Sequence, residues 1–346
     1  MKKKKSGRIR GVVRVIVNGG LLTACISYGT ATQAAVNFQF EYMDAPGTGF
    51  FDRVNGPSWQ AAMNTAATRF SSMFGSHFSN TGTIVLKATS SNDAASSTLA
   101  SAASEFVDPG RPGFNLGEVV RTKLQTGVDL NDDAADGSVD VNFGHSWELD
   151  YNATPSGSKY DFYSTLFHEF THTLGFISSI GENGDPVYGT WDSGSWNRFD
   201  GFIVDNQGNR IIDKSDHSLD LVTWYIESTG GASPAAGLFF DGAHAMAENG
   251  GQPVGLYTPE LWNEGSSVSH LDDDNPALAG MMMLSASDTG PYARDYSAIE
   301  VGMLTDLGYA AVVPEPETYV MLLAGLGVVG WVARRRRKAG AGDRNG

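Results

Sequence analysis

The stretch LFHEFTHTLGF, at residues 166–176, has two histidines and a glutamate at the spacing of a helical zinc site. His168 and His172 are four residues apart, so a helix puts both imidazoles on one face, where they can bind one ion. Glu169 lies about 100° around the helix, where it is suited to act on a water molecule rather than on the metal. This H-E-x-x-H pattern of zinc proteases predicts hydrolytic zinc chemistry with Glu169 as general base.

The third metal ligand does not lie in the same stretch. In the compact form of the pattern a histidine follows the glycine by three residues, but Ser178 occupies that position. Gly175 is suited to a left-handed turn that ends the helix, after which the chain has to bring a ligand back. The downstream candidates are Glu182, Glu227, His217, His244 and His270.

We favour His270 as the third ligand, because three methionines follow it within 13 residues. A methionine beneath the metal, soon after the third histidine, is typical of the metzincin class of zinc proteases. The three are Met281, Met282 and Met283, and we take Met282 as the turn methionine. The other two histidines lie in polar, turn-like segments, and neither glutamate lies in a convincing helix.

Three segments together resemble one family, the leishmanolysin-like metzincins. They are HEFTHTLGF, then GSSVSHLD with the methionines that follow it, and finally IEVGMLTDLGY. In that family a long insertion separates the glycine turn from the third histidine. The resemblance covers residues 36–313 and is strongest at 161–176 and 265–309.

The resemblance implies one Zn²⁺ ion bound by His168, His172 and His270. It also implies a cleft between an N-terminal sheet and an irregular C-terminal lobe, where a protein or peptide substrate binds. By the same analogy, the strand at 138–144 lines the cleft and pairs with extended substrate. The chain departs from leishmanolysin, which is rich in disulfides, because its single cysteine is Cys25.

The elements that must position these residues predict a mixed α/β (α+β) fold. Alternation of apolar and polar residues, or a short apolar run, predicts strands at 36–42, 83–88 and 138–144. Helical spacing predicts helices at 57–75, 96–107, 117–127, 161–176 and 299–309, with Asp161 as the N-cap of the fourth. After Gly175 the chain is rich in Gly, Asp, Asn and Ser, which predicts an irregular lobe with a hairpin at 198–213.

An acidic segment, NDDAADG at 131–137, gives weak support for a calcium site. It departs from the EF-hand loop, because Ala134 takes the third position and Phe143 takes the position of the bidentate glutamate. We therefore expect a turn that leads into the 138–144 strand.

The charge of the chain argues against anionic partners. Residues 36–313 contain 11 basic and 36 acidic residues, a net charge of about −25. So acidic a surface repels nucleic acid and anionic membranes, and it is suited to a soluble protein outside the cell.

The N-terminus, residues 1–35, has the basic start, apolar stretch and small residues of an export signal peptide, with cleavage near Ala34 or Ala35. A second interpretation is a lipoprotein signal, in which Cys25 of the LTAC sequence carries the lipid. Under either interpretation the mature body is residues 36–313.

The C-terminus, residues 314–346, resembles the PEP-CTERM sorting signal of Gram-negative bacteria. Pro314-Glu315-Pro316 precedes an apolar run, 319–333, and an arginine cluster, 334–338. The resemblance implies a transmembrane helix that anchors the chain transiently to the inner membrane. It also implies an exosortase-type processing enzyme and delivery to the cell surface or to an exopolysaccharide matrix.

These features predict a secreted or surface zinc endopeptidase. One alternative is a surface protein that contains zinc, lacks catalysis and binds matrix polysaccharide. Another is a zinc amidase that acts on the cell wall.

Overall fold

The computed structural model describes residues 36–186, 194–231, 233 and 235–312. The predicted signal peptide, and the predicted sorting segment with its transmembrane helix, lie outside these residues. Among the helices of the described residues, none combines the length and the apolar character needed to cross a membrane.

Helices and strands are interspersed along the chain, as a mixed α/β fold requires. The α-helices of the described residues are α1 (Gly56–His77), α2 (Val119–Thr126), α3 (Phe162–Thr173), α4 (Leu221–Glu227), α5 (Ala243–Glu248) and α6 (Ala298–Asp306). The strands are β1 (Val36–Tyr42), β2 (Gly82–Ser91), β3 (Ala100–Ser104), β4 (Phe106–Val107), β5 (Gly117–Glu118), β6 (Gly137–Asn142), β7 (Trp147–Glu148), β8 (Tyr160–Asp161), β9 (Ile203–Val204), β10 (Phe239–Phe240) and β11 (Val254–Gly255). The mixed fold and the helices near 57–75, 117–127, 161–176 and 299–309 are confirmed.

The main sheet is mixed and has the strand order β1-β2-β6-β3. Strands β1, β2 and β6 run parallel, and β3 pairs antiparallel with β6 at the edge. The predicted strand at 138–144 is confirmed as β6, but its predicted pairing with extended substrate is wrong. Because β6 lies between β2 and β3, both of its backbone edges already have partners in the sheet.

The helix predicted at 96–107 is also wrong. Residues 100–104 and 106–107 are strands β3 and β4, and Ala102 pairs with Val139 of β6. The alanines and serines of this stretch are compatible with either structure, so pairing with a buried strand decides its conformation.

Aromatic side chains pack α3 against the main sheet. The ring centroid of Phe170 on α3 lies 4.5 Å from that of Phe38 on β1 and 5.4 Å from that of Phe70 on α1. Phe38 and Phe70 also meet each other, edge to face, at 5.6 Å. Aromatic contacts at these distances favour one fixed arrangement, so the sheet and α1 set the position of α3.

After α3 the described chain is largely turns joined by short elements. Strands β9, β10 and β11 form a small antiparallel sheet in which each strand is only two residues long. The hairpin predicted within 198–213 is confirmed at its tip, where Val204 bridges Arg210 and Gly208 has φ = +83°. The residues before it, Phe199–Phe202, form a 3₁₀ turn instead of a strand.

The acidic segment at 131–137 forms the expected turn ahead of β6. Its Asp136 accepts hydrogen bonds from the Lys123 ammonium at 2.9 and 3.0 Å, and Asp129 lies 2.7 Å from the same nitrogen. A lysine therefore pairs with one of the three carboxylates of the segment for which the sequence suggests calcium.

Candidate metal centre

Hydrogen bonds fix the N-terminus of α3, the helix that carries the H-E-x-x-H residues. Asp161 caps α3 by accepting hydrogen bonds from the backbone N–H groups of Tyr163 at 3.0 Å and Ser164 at 3.2 Å. Arg294, from near the end of the chain, donates to both oxygens of the same carboxylate at 2.8 and 2.9 Å. The predicted N-cap is therefore confirmed, and a charged pair joins it to a distant segment.

The end of the same helix depends on a glycine. Gly175 follows the last turn of α3 with φ = +94°, and its N–H donates to the carbonyl of His172 at 3.0 Å. A Cβ atom there would lie 2.5 Å from Oε1 of the buried Glu118. Both the backbone conformation and the lack of space require glycine at position 175. The chain turns back toward the helix at this residue.

Three imidazole nitrogens converge beside α3. Nε2 of His168 lies 2.9 Å from Nε2 of His172, and Nε2 of His270 lies 3.1 Å from each of them. Within the described residues, this is the one group of three or more His, Cys, Asp or Glu side chains that could hold a metal ion. The other candidates for the third ligand, which do not join the group, are Glu182, Glu227, His217 and His244.

Hydrogen bonds on the far side of each ring determine which nitrogen carries the proton. Nδ1 of His168 lies 2.8 Å from the Met282 carbonyl, and Nδ1 of His172 lies 2.6 Å from the Phe176 carbonyl. Nδ1 of His270 lies 2.8 Å from the Ser266 carbonyl. A carbonyl only accepts, so each ring donates from Nδ1 and turns the lone pair of Nε2 toward the other two.

Three inward lone pairs with no proton between them could hold a cation. In a tetrahedral zinc site with Zn–N bonds of about 2.0–2.1 Å, the nitrogens are about 3.3 Å apart, which is close to the separations here. Neutral imidazoles that donate their second N–H to backbone carbonyls are also the usual ligands of zinc. The donor set therefore fits Zn²⁺.

Burial keeps the three rings neutral. It lowers the pKa of His168 to about 4 and that of His270 to about 3, and it lowers the pKa of His172 well below the ordinary value. At neutral pH the rings are therefore unprotonated without any metal, which is the state that a ligand needs.

Glu169 lies beside the cluster on the side of strand β3. Its side chain is buried, which raises the pKa of the carboxyl to about 8, and the backbone N–H of Ala102 on β3 opposes that rise by hydrogen bonding. Sequence reasoning missed this neighbour, because it assigned the segment to a helix. A carboxyl group with a raised pKa, next to His168 in the chain, is suited to proton transfer near neutral pH.

The predicted turn methionine contributes its backbone to the centre. Met282 is 1% exposed, and its carbonyl oxygen accepts the hydrogen bond from His168. The next residue, Met283, accepts a hydrogen bond from the N–H of Leu271 at 2.9 Å. The methionine segment thus bonds to the ring of His168 and to the backbone of the residue after His270.

Comparison with known proteins identifies one short segment. The family model of the PEP-CTERM protein-sorting motif matches residues 312–338. A match to this motif implies export, recognition by an exosortase-type processing enzyme, and surface sorting in a Gram-negative bacterium. No curated protein matches the chain.

Proposed function

We propose that residues 36–313 form an exported zinc endopeptidase similar to the leishmanolysin-like metzincins. The observation that carries the proposal is the convergence of the Nε2 atoms of His168, His172 and His270 within 3.1 Å of one another. Glu169 follows the first of these histidines directly in sequence, as the chemistry requires. The sorting motif at 312–338 supports action outside the cytoplasm.

Each side chain then has a distinct task. The three histidines hold the ion, and a zinc ion there would supply the Lewis acidity that activates water and polarises a carbonyl. The Glu169 carboxylate accepts a proton from the attacking water and afterwards delivers it to the leaving amine nitrogen. The fixed Nδ1 hydrogen bonds keep the rings from turning while charge develops at the reacting atoms.

Strand β3 supports a peptide as the substrate. The N–H of Asn142 on β6 donates to the carbonyl of Leu99 at 2.9 Å, so in this antiparallel pair the odd-numbered residues of the 99–104 stretch bond to β6. The backbone groups of Ala100 and Ala102 therefore point to the open edge, and the Ala102 N–H meets Glu169. An extended peptide that pairs with this edge would pass the general base.

A chelation experiment tests the proposal. The purified chain is expected to cleave casein, to lose that activity when a chelator removes the metal, and to regain it with stoichiometric Zn²⁺. Zinc content without cleavage of any member of a broad peptide library would contradict the proposal. Binding of matrix polysaccharide by such a protein would then favour the surface-binding alternative, and release of peptides from peptidoglycan would favour the amidase.

A further inference from the structure

Glu300 is a buried carboxylate whose two oxygens are both used by backbone N–H groups. It is fully buried, and Oε2 accepts from the N–H of Ser297 at 2.7 Å. The Ser297 hydroxyl oxygen in turn accepts from the N–H of Glu300 at 3.2 Å, which completes a capping box at the start of α6. This much is an ordinary helix cap.

The other oxygen leaves the helix and reaches the methionine segment. Oε1 accepts a hydrogen bond from the N–H of Met283 at 2.7 Å, and the N–H of Met282 also faces this carboxylate. A cap needs only its own helix, so the bond to Met283 serves a different purpose. It holds the peptide that joins Met282 to Met283, and the carbonyl of that peptide, from Met282, bonds to His168.

The contacts form a continuous path to the metal centre. Glu300 bonds to the N–H of Met283, the adjoining Met282 carbonyl accepts from Nδ1 of His168 at 2.8 Å, and Nε2 of His168 faces the other two rings. Met283 also accepts from the N–H of Leu271, the residue after His270. Rotation of the Met282–Met283 peptide would therefore move the partner of one ring and loosen the segment that holds another.

We propose that Glu300 is a positioning residue of the metal centre, acting through the Met282 carbonyl to keep His168 as the Nδ1–H tautomer. The proposal rests on the zinc site of the proposed function, but not on peptide cleavage. A carboxylate is suited to this task because it offers acceptors to two N–H groups at once. A carboxamide has one acceptor oxygen, so its NH₂ group must face one of those N–H groups.

Three variants of the full-length protein separate positioning from capping. Glu300→Gln places an NH₂ group against one N–H group, and Glu300→Asp keeps the charge for the cap but is one methylene too short to reach Met283. Ser297→Ala is the control: it weakens the capping box and removes a 3.4 Å contact from the Ser297 hydroxyl to the sulfur of Met281, but it leaves the bond to Met283 in place. The measurements are the zinc dissociation constant and the imidazole ¹⁵N shifts of His168 in the metal-free protein.

Both Glu300 variants are expected to bind zinc more weakly, by up to the roughly 10–100-fold that is typical when the direct hydrogen-bond partner of a ligand is lost. Their His168 ¹⁵N shifts should move toward a mixture of tautomers. Ser297→Ala should lower the midpoint of unfolding and change neither measurement. Use of two Glu300 variants keeps the test decisive if one of them does not fold.

Zinc affinity within twofold of wild type in the Glu300 variants, with an unchanged His168 tautomer, would overturn the proposal. An equal loss of affinity in Ser297→Ala would also overturn it, since the contacts of Ser297, with the bond from Glu300 to Met283 intact, would then explain the effect. A wild-type protein that binds zinc but cleaves no peptide would refute the endopeptidase and leave the expected Glu300 result unchanged.

Discussion

The three clustered histidines come from two regions that are built in different ways. His168 and His172 lie on α3, where four residues of regular helix set their separation whatever the rest of the chain does. His270 lies in an irregular stretch, two residues after Val268, which has φ = +63°. A β-branched residue in that conformation is strained, so surrounding contacts have to maintain it.

Those contacts come from separate parts of the chain. The N–H of Tyr257 donates to the His270 carbonyl at 2.9 Å, and the N–H of Val268 donates to the Tyr257 carbonyl at 2.7 Å. The N–H of Ser178, just after α3, donates to the Ser269 hydroxyl at 3.1 Å. The helical pair is therefore defined locally, whereas the third position exists only when distant segments are packed together.

Removal of the non-local histidine tests this difference most strongly. His270→Ala is expected to lose zinc and all peptidase activity, because two histidines alone leave the ion without its third protein ligand. The loss of affinity should exceed the roughly 10–100-fold typical of an outer partner. Zinc content after dialysis and a casein assay measure both effects.

His217→Ala and His244→Ala are the matched controls for that experiment. Both histidines follow α3 and were sequence candidates, but neither joins the cluster. Each variant should retain zinc and wild-type activity. If either of them lost zinc while His270→Ala kept it, the ligand assignment would be wrong.

The local region contains the proposed general base, Glu169, so a change there should affect rate without affecting metal binding. Glu169→Gln is expected to lower the rate of peptide cleavage by about 10²–10⁴-fold, the usual contribution of a general base. Its zinc content should equal that of wild type, because the carboxylate is not part of the nitrogen cluster. Cleavage at the wild-type rate would refute the mechanism.

The stretch that carries His270 is linked through Ser178 to a buried acid, Asp200, so its stability should depend on pH. This carboxylate accepts hydrogen bonds from Ser178 and Ser179, and its burial raises the pKa to about 7. The unfolded value is near 3.9, so between these values the folded state binds more protons and stability falls as pH rises. We expect the free energy of unfolding to fall by about 2–3 kcal/mol from pH 5 to pH 8 on this account.

Urea denaturation at the two pH values measures that loss. Asp200→Asn cannot ionise, so its stability should change with pH by about 2–3 kcal/mol less than that of wild type. An identical pH dependence in the two proteins would show that Asp200 titrates in the same way in the folded and the unfolded chain.

The smallest expected effect tests the boundary between the two regions. Gly175→Ala forces a Cβ into a left-handed turn and to within 2.5 Å of Oε1 of Glu118. The control, Gly208→Ala, has φ = +83° with no atom within 4 Å of the new Cβ. We expect about 1 kcal/mol of destabilisation at Gly208 and about 2 kcal/mol or more at Gly175, measured by urea denaturation.

The same contrast explains which parts of the structure are predictable from the sequence. Helices α1, α3 and α6 and strand β1 follow from local periodicity, and the Asp161 cap and the Gly175 turn follow from single residues with clear preferences. The stretch at 96–107 is composed of small residues without such a preference. Its pairing with β6 depends on residues about 40 positions away, so the wrong element was predicted.

The candidate site divides in the same way. The methionines that follow His270 indicated the distant histidine, but the carbonyls of Phe176, Ser266 and Met282 carry no signal in their side chains. The S-x-x-E pattern at 297–300 predicts the start of a helix, and nothing local indicates that Glu300 also reaches Met283. Interactions of backbone groups across the fold become visible only in three dimensions.

The central claim is that two local histidines and one distant histidine bind a single zinc ion. X-ray absorption at the zinc edge of the purified full-length protein tests this most directly. We predict one zinc per chain with three imidazole nitrogens and one oxygen ligand at about 2.0–2.1 Å. A spectrum with two imidazoles, or one unchanged in His270→Ala, would contradict the account.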